Sequence, residues 1–340
     1  MEWADIASSA RASIGGKCKA CLVCDGRACR GVIPGPGAKG SGDVAVRNYD
    51  AWRRVRLNMD TLCGHVEANT SCELFGRTWS MPLFIGPVGD VQRHYGPSLD
   101  TIDYNLMALR AAKAQGVAAF TGDGVDRQIF VDSCAAIAEV GGCGVPTVKP
   151  WGQDVVADRM ELSRASMAFA IAMDVDAAGL PFLKGLEPPA GFKSTEQLRD
   201  VAGMAGEVPL IVKGVMTPRG ALKALEAGAS AILVSNHGGR VLDGCPATAE
   251  VLPAIVRAVE GRVPVLVDGG IRGGVDVLRA LALGASGVLV CRPFVVAAFG
   301  AGQEGIEALL GQFRRELADA MEMCGVADVA SITRDVVWEG

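Results

Sequence analysis

From residue 82 onward, short apolar runs alternate with amphipathic stretches, and this alternation constrains the fold more than any single motif. The runs are Pro82–Gly86, Val117–Thr121, Val145–Lys149, Phe169–Asp174, Pro209–Lys213, Ala231–Val234, Val263–Asp268 and Gly287–Cys291. Continuous Val/Ile/Leu runs suit strands covered on both faces, as in parallel sheets. Between them, Tyr104–Gln115, Pro218–Ala227 and Val275–Leu283 carry helical spacing, and each is followed by glycine. Eight such units predict an α/β fold of the (β/α)8, or TIM barrel, type over an open doubly wound sheet. Lys213, Asp268 and Arg292 fall at or just past the C-terminal ends of three runs, and His237 follows a fourth. In a barrel those ends share one rim, where active sites are built.

Half of the 340 residues are apolar and the net charge is −5. That is enough for a sizeable core and leaves no basic footprint for nucleic acid. No apolar run reaches membrane-spanning length, and the polar start Met1-Glu2-Trp3-Ala4-Asp5 does not read as a secretion leader. The expectation is a cytoplasmic protein without nucleic-acid or membrane partners. Its eleven cysteines then read as reduced thiols or metal ligands, not as a disulfide framework. Residues 1–80 form a Cys/Gly-rich extension and 81–340 the barrel. Within the extension, Gly31–Gly42 is too rich in glycine and proline for regular structure and reads as a loop over the site. Asn48–Leu62 is amphipathic and predicted helical in part.

The run Ala231–Val234 leads directly into Ser235-Asn236-His237-Gly238-Gly239-Arg240-Val241-Leu242-Asp243-Gly244. An imidazole can take a proton near neutral pH, and a guanidinium can grip a carboxylate with two parallel hydrogen bonds. The glycines let backbone approach a flat ligand. Downstream, Asp268-Gly269-Gly270-Ile271-Arg272-Gly273-Gly274 opens a predicted helix and resembles a phosphate-binding loop, with Arg292 joining it. Only one phosphate site is present, and no dinucleotide fingerprint follows an early strand.

These segments, with Ile211-Val212-Lys213-Gly214-Val215, Pro246-Ala247-Thr248 and Arg292-Pro293, resemble the FMN-dependent α-hydroxy acid dehydrogenases and oxidases. The likeness runs from about residue 48 to the C-terminus. It implies FMN as cofactor and oxidation of a small 2-hydroxy acid to a 2-oxo acid, with hydride or carbanion transfer to flavin N5. By resemblance His237 is the general base, Asp176 orients it, Arg240 binds the substrate carboxylate and Lys213 stabilises reduced flavin. The flavin is expected against Pro87, Val88, Gly89, Thr121, Lys149, Asp174, Lys213, Ser235, His237, Gly238 and Arg240. Its phosphate end is expected against Asp268, Gly269, Gly270, Arg272, Gly273, Cys291 and Arg292. The partners expected are the substrate, an unidentified electron acceptor and further copies of the chain in a homo-oligomer. A flavin-dependent isomerase and a flavin or metal redox sensor are the alternatives.

The departures from the family pattern lie on the substrate side. Relatives carry a tyrosine near the N-terminus, another after the third strand and a second arginine after the fourth. Here the corresponding stretches read Thr147-Val148-Lys149-Pro150-Trp151 and Ala177-Ala178-Gly179-Leu180-Pro181. Asp174 stands where relatives carry a flavin-contacting threonine, and Cys291 where they carry glycine. Cys18, Cys21, Cys24 and Cys29, spaced C-x2-C-x2-C-x4-C, suit zinc or an iron–sulfur cluster. The alternative is a loop of buried cysteines, with Arg27 and Arg30 reaching the active site to replace the missing clamp. His65 and His94 carry no motif and read as surface or core residues.

Overall fold

Each of the eight runs contributes one short strand. They are β1 (Leu83–Ile85), β2 (Ala119–Thr121), β3 (Gly144–Val148), β4 (Ile171–Asp174), β5 (Leu210–Val215), β6 (Ala231–Val234), β7 (Val265–Val267) and β8 (Gly287–Val290). All neighbours are parallel, and β8 closes on β1 through the pair Val288–Leu83. The structure, a computed structural model, describes every residue except 65, 66, 186, 188 and 340. His65 therefore lies outside the described residues.

Alternation along the strands divides the core in two. Phe84, Phe120, Val145, Ala172, Ile211, Leu233, Leu266 and Leu289 fill the barrel interior. Their neighbours, such as Leu83, Ile85 and Val267, pack outward against the helices. Below the barrel, a hairpin of Cys72–Leu74 and Arg77–Trp79 inserts Trp79 edge-on to Phe84, with centroids 5.5 Å apart. The N-terminal mouth is thus plugged, and polar groups collect at the other end.

Helix Trp3–Ser13 packs on the long C-terminal helix Arg292–Met323. The approach is close enough that a Cβ on Gly300 would lie 2.2 Å from the Ile6 carbonyl oxygen. The amphipathic segment expected at Asn48–Leu62 is instead helical over Asp43–Arg54. Beyond it, Leu57 bridges to Val337 and the Asn58 N–H donates to the Val336 carbonyl. Backbone pairing with the C-terminal segment replaces the helical hydrogen bonds there.

Helix Asp43–Arg54 acts as a strap across the C-terminal rim. Asn48 and Asn236 exchange side-chain amide hydrogen bonds of 2.8 and 2.9 Å. Trp52 Nε1 donates to the Gly269 carbonyl at 2.7 Å, and Arg53 pairs with buried Asp276 at 2.8 Å.

Candidate active site

The rim opens into a cavity of about 380 Å³ floored by Leu289. On β5 the ladder register shifts between Lys213 and Val215. Gly214 sits there at φ +102°, where a Cβ would lie 2.7 Å from the Asp176 side chain. This bulge lets Lys213 and Asp176 approach the same point.

Lys213 Nζ lies 2.8 Å from Asp174 and 3.9 Å from both Asp176 and Asp268. His237 Nδ1 lies 3.1 Å from Asp176 and 3.5 Å from Asp174. Ser235 donates its hydroxyl to Asp268 at 2.9 Å and accepts the His237 N–H at 3.1 Å. His237 holds φ +55°, a left-handed conformation rare outside glycine. Gly238 follows at φ +62°, and a Cβ there would lie 2.3 Å from Arg292 Nη2.

Burial opposes charge throughout this cluster, and the charged partners decide the outcome. Burial would depress Lys213, but Asp174, then Asp176 and Asp268, hold it above the ordinary lysine value. Burial would likewise depress His237, yet Asp174 and Asp176 raise it above the usual histidine value. Asp174 is held well below the carboxylate range, because His237 and Lys213 outweigh its own desolvation. Asp176 is pushed the other way, to about 6, by burial and by repulsion from Asp174. Asp176 is thus nearer the imidazole, while Asp174 carries more of the negative charge.

Arg240 enters the same cavity. Its Nη2 lies 3.3 and 3.4 Å from the two ring nitrogens of His94, and its Nε has no partner among the described residues. Burial and then the Arg240 charge push His94 down to about 2, so the ring is neutral. Phe182 packs beside it, with centroids 5.3 Å apart. The guanidinium of Arg93 lies 5.3 Å from the Phe182 ring and that of Arg240 5.8 Å.

Most of the expected cofactor residues meet at this cavity. Pro87, Val88 and Gly89 line one wall. Lys149, Asp174 and Lys213 line a second, and His237, Gly238 and Arg240 a third. Asp268, Gly269, Gly270, Arg272, Cys291 and Arg292 complete it. Three others sit behind the lining: Asp176 and Ser235 through the contacts above, and Thr121, whose buried hydroxyl has no partner among the described residues.

The structure corrects several expectations. Gly273 is not at the cavity; a Cβ there would meet Glu316 at 2.4 Å. The Gly274 N–H, at the helix start, donates to Glu316 at 2.8 Å, and the Arg272 N–H donates to Asp276. Two amides of the expected phosphate loop are therefore occupied by carboxylates, leaving Gly269 and Gly270 at the cavity. Arg27 pairs with Asp25 and Asp50, and Arg30 with Asp43, on the exposed face, so neither replaces the missing clamp. His94, expected to lack a role, contacts Arg240. Its loop follows β1 on the catalytic rim, and that placement was the available signal.

Lys149 is held by Asp123: its N–H donates to the carboxylate at 3.2 Å and its ammonium donates to the Asp123 carbonyl. Trp151 donates its indole N–H to the same carboxylate at 2.5 Å. Arg159 completes a buried ion pair with Asp123 at 3.3 Å. This network was not foreseen from the sequence.

The donor set fits a phosphorylated flavin. Arg292 is half-buried, and its buried Nη1 has no partner among the described residues, beside the cavity-lining loop Gly269-Gly270. A Cβ on Gly270 would lie 2.3 Å from the Asn48 carbonyl oxygen, so the strap and the loop need glycine there. Lys213 supplies a buried positive charge at the opposite wall.

The sequence profile described as FMN-dependent dehydrogenase matches residues 36–181 and 182–339. The chain belongs to the FMN-dependent dehydrogenase family. It is 30% identical over 333 residues to a 2-hydroxyacid oxidase of Dictyostelium discoideum, covering 89% of this chain and 84% of that protein. It is 33% identical over 345 residues to a 4-hydroxymandelate oxidase of Amycolatopsis orientalis, covering 91% and 95%. A solved mandelate oxidase variant with 2-hydroxy-phenylacetamide superposes with TM-score 0.80 at 30% identity, covering 99% of this chain and 97% of that one. A further variant, carrying an FMN adduct, gives TM-score 0.81 at 29% identity, covering 99% of each.

Proposed function

We propose that the chain oxidises a small 2-hydroxy acid to the 2-oxo acid. FMN, when bound, supplies the acceptor for the electron pair that leaves with the α-hydrogen. His237 takes the hydroxyl proton. Asp176, 3.1 Å from Nδ1, fixes the ring and stabilises its cationic form. Arg240 holds the substrate carboxylate with neutral His94 supporting its guanidinium. Arg292 with the Gly269-Gly270 backbone would hold the phosphate. Lys213 would face the electron-rich edge of the reduced ring, with Asp174 already neutralising part of its charge. One observation carries this reading: a carboxylate-paired imidazole and a guanidinium with an unpartnered buried nitrogen share one cavity.

Eleven free cysteines support a reducing, cytoplasmic setting. The four clustered thiols before residue 30 are part of the proposal, as ligands to zinc or an iron–sulfur centre.

The test is anaerobic mixing of the FMN-loaded protein with lactate, glycolate and mandelate while flavin absorbance is followed. Bleaching by at least one is expected. A flavin that dithionite bleaches but none of the three does would overturn the 2-hydroxy acid assignment.

A further inference from the structure

Residues 14–42 contain no helix or strand, an unusual length of irregular chain inside a compact domain. The segment is nonetheless tied down at many points. Trp3 Nε1 donates to the Leu22 carbonyl at 2.8 Å, and Lys39 N–H donates to the Gly239 carbonyl at 2.9 Å. Arg272 Nε donates to the Cys24 carbonyl at 2.6 Å. Inside this wrapping, Cys18, Cys21, Cys24 and Cys29 all line one small, largely apolar cavity. Arg292 and Pro36 line it too, and both also line the large cavity on the barrel rim. The two cavities are therefore neighbours separated by one layer of side chains.

The spacing of the sulfurs discriminates between metals. Tetrahedral zinc with bonds of about 2.3 Å draws its four sulfurs to within roughly 4 Å of one another. Among the described residues, the only group of three potential ligands whose atoms lie within 4.8 Å of one another is Asp174, Asp176 and His237. The thiols face a common cavity, and no three of their sulfurs lie within 4.8 Å of one another, a wider set than one tetrahedral zinc ion gathers. An iron–sulfur cluster places iron and sulfide between its cysteines, so their sulfurs are held apart. The C-x2-C-x2-C-x4-C spacing puts all four ligands on one short loop, and the arginine in the wall offsets the negative charge of a thiolate-ligated cluster.

We propose that Cys18, Cys21, Cys24 and Cys29 bind an iron–sulfur cluster in this cavity, one side-chain layer from the flavin-phosphate end of the active site. The proposal rests on reading the four thiols as a metal centre and goes further by fixing its kind. The profile match begins at residue 36, so this site lies outside the matched family segment.

The test is elemental analysis of the full chain purified without oxygen, then reconstituted with ferrous iron and sulfide and desalted. Iron and acid-labile sulfide are expected in equal amounts, about two to four of each per chain. A broad brown absorption should accompany the flavin bands. A Cys24→Ser variant should lose most of the iron and sulfide while its far-ultraviolet dichroism stays that of a barrel. About one zinc per chain, with iron absent after reconstitution, would overturn the cluster and keep the metal reading. No bound metal after reconstitution, with all eleven thiols titratable or with Cys18, Cys21, Cys24 and Cys29 in disulfides, would overturn both. Either outcome is read on the wild type, so a variant that fails to fold does not protect the proposal.

Discussion

The two halves of the barrel rim differ in kind. The half after β5 to β8 carries Lys213, His237, Arg240, Asp268 and Arg292, in the order and setting the family resemblance implies. The half after β1 to β4 keeps Asp176 but otherwise carries His94, Asp123, Lys149, Trp151, Asp174 and Phe182, without the tyrosine after β3, the threonine at Asp174 or the arginine after β4 that the resemblance implies. The first half, completed by Asp174 and Asp176 from the end of β4, is the charged cluster that bears on the flavin and the reacting hydroxyl. The other is a rebuilt wall, cross-braced by the buried Asp123–Arg159 pair and by an aromatic ring flanked by two guanidiniums. A barrel permits this because each strand end is a separate attachment point, so one wall can change without moving the opposite one.

The largest effect should come from the retained half. His237→Ala is expected to slow substrate-driven flavin reduction by about 10²–10⁴-fold while FMN stays bound. Stopped-flow bleaching measures this, and a wild-type rate would remove His237 from the role of base. The same group sets the pH dependence. The base must be neutral to accept a proton, so kcat/KM falls as pH drops through the His237 pKa. Because the neighbouring carboxylates raise that pKa, the acid limb should lie above the ordinary histidine value of 6.5. An acid limb below 6.5 would contradict the arrangement.

Next is the bracing of the rebuilt wall. Arg159→Leu leaves Asp123 buried without its ion-pair partner, and the expected loss is about 3–5 kcal/mol of folding stability. Denaturant titration reads this directly. An unchanged midpoint would show that Lys149 and Trp151 satisfy Asp123 alone, and that the wall is braced otherwise than described.

The smallest effect separates the halves most sharply. His94→Leu removes a neutral ring from Arg240 and is expected to raise KM for a 2-hydroxy acid by roughly tenfold, about 1.4 kcal/mol. Flavin content and kcat should change less. A fall in kcat with KM unmoved would place His94 with the retained half.

The barrel was legible in the sequence because buried parallel strands leave continuous apolar runs, and eight of them are visible between Pro82 and Cys291. The positions of His237, Arg240, Lys213 and Asp268 were legible because Lys213 and Asp268 end such runs and His237 and Arg240 follow closely after one. Strand lengths were less so: β2 begins at Ala119, two residues inside its run, because pairing and not hydropathy sets strand ends. Asp123 and Arg159 left no signal, since a buried ion pair between a loop and a helix has no periodicity. Gly273 misled for the opposite reason. Glycine beside a helix start reads as a ligand loop, and here it faces the Glu316 carboxylate instead of the cavity.

The strap helix Asp43–Arg54 has one more consequence. Its partners Asn236, Gly269 and Asp276 lie some two hundred positions further along the chain. It is synthesised before every strand of the barrel, yet it has nothing to rest on until almost the whole barrel has been made. Bridging so long a separation is slow and entropically costly. The cavity roof therefore closes late, and a nascent barrel presents its rim open until the strap settles over it.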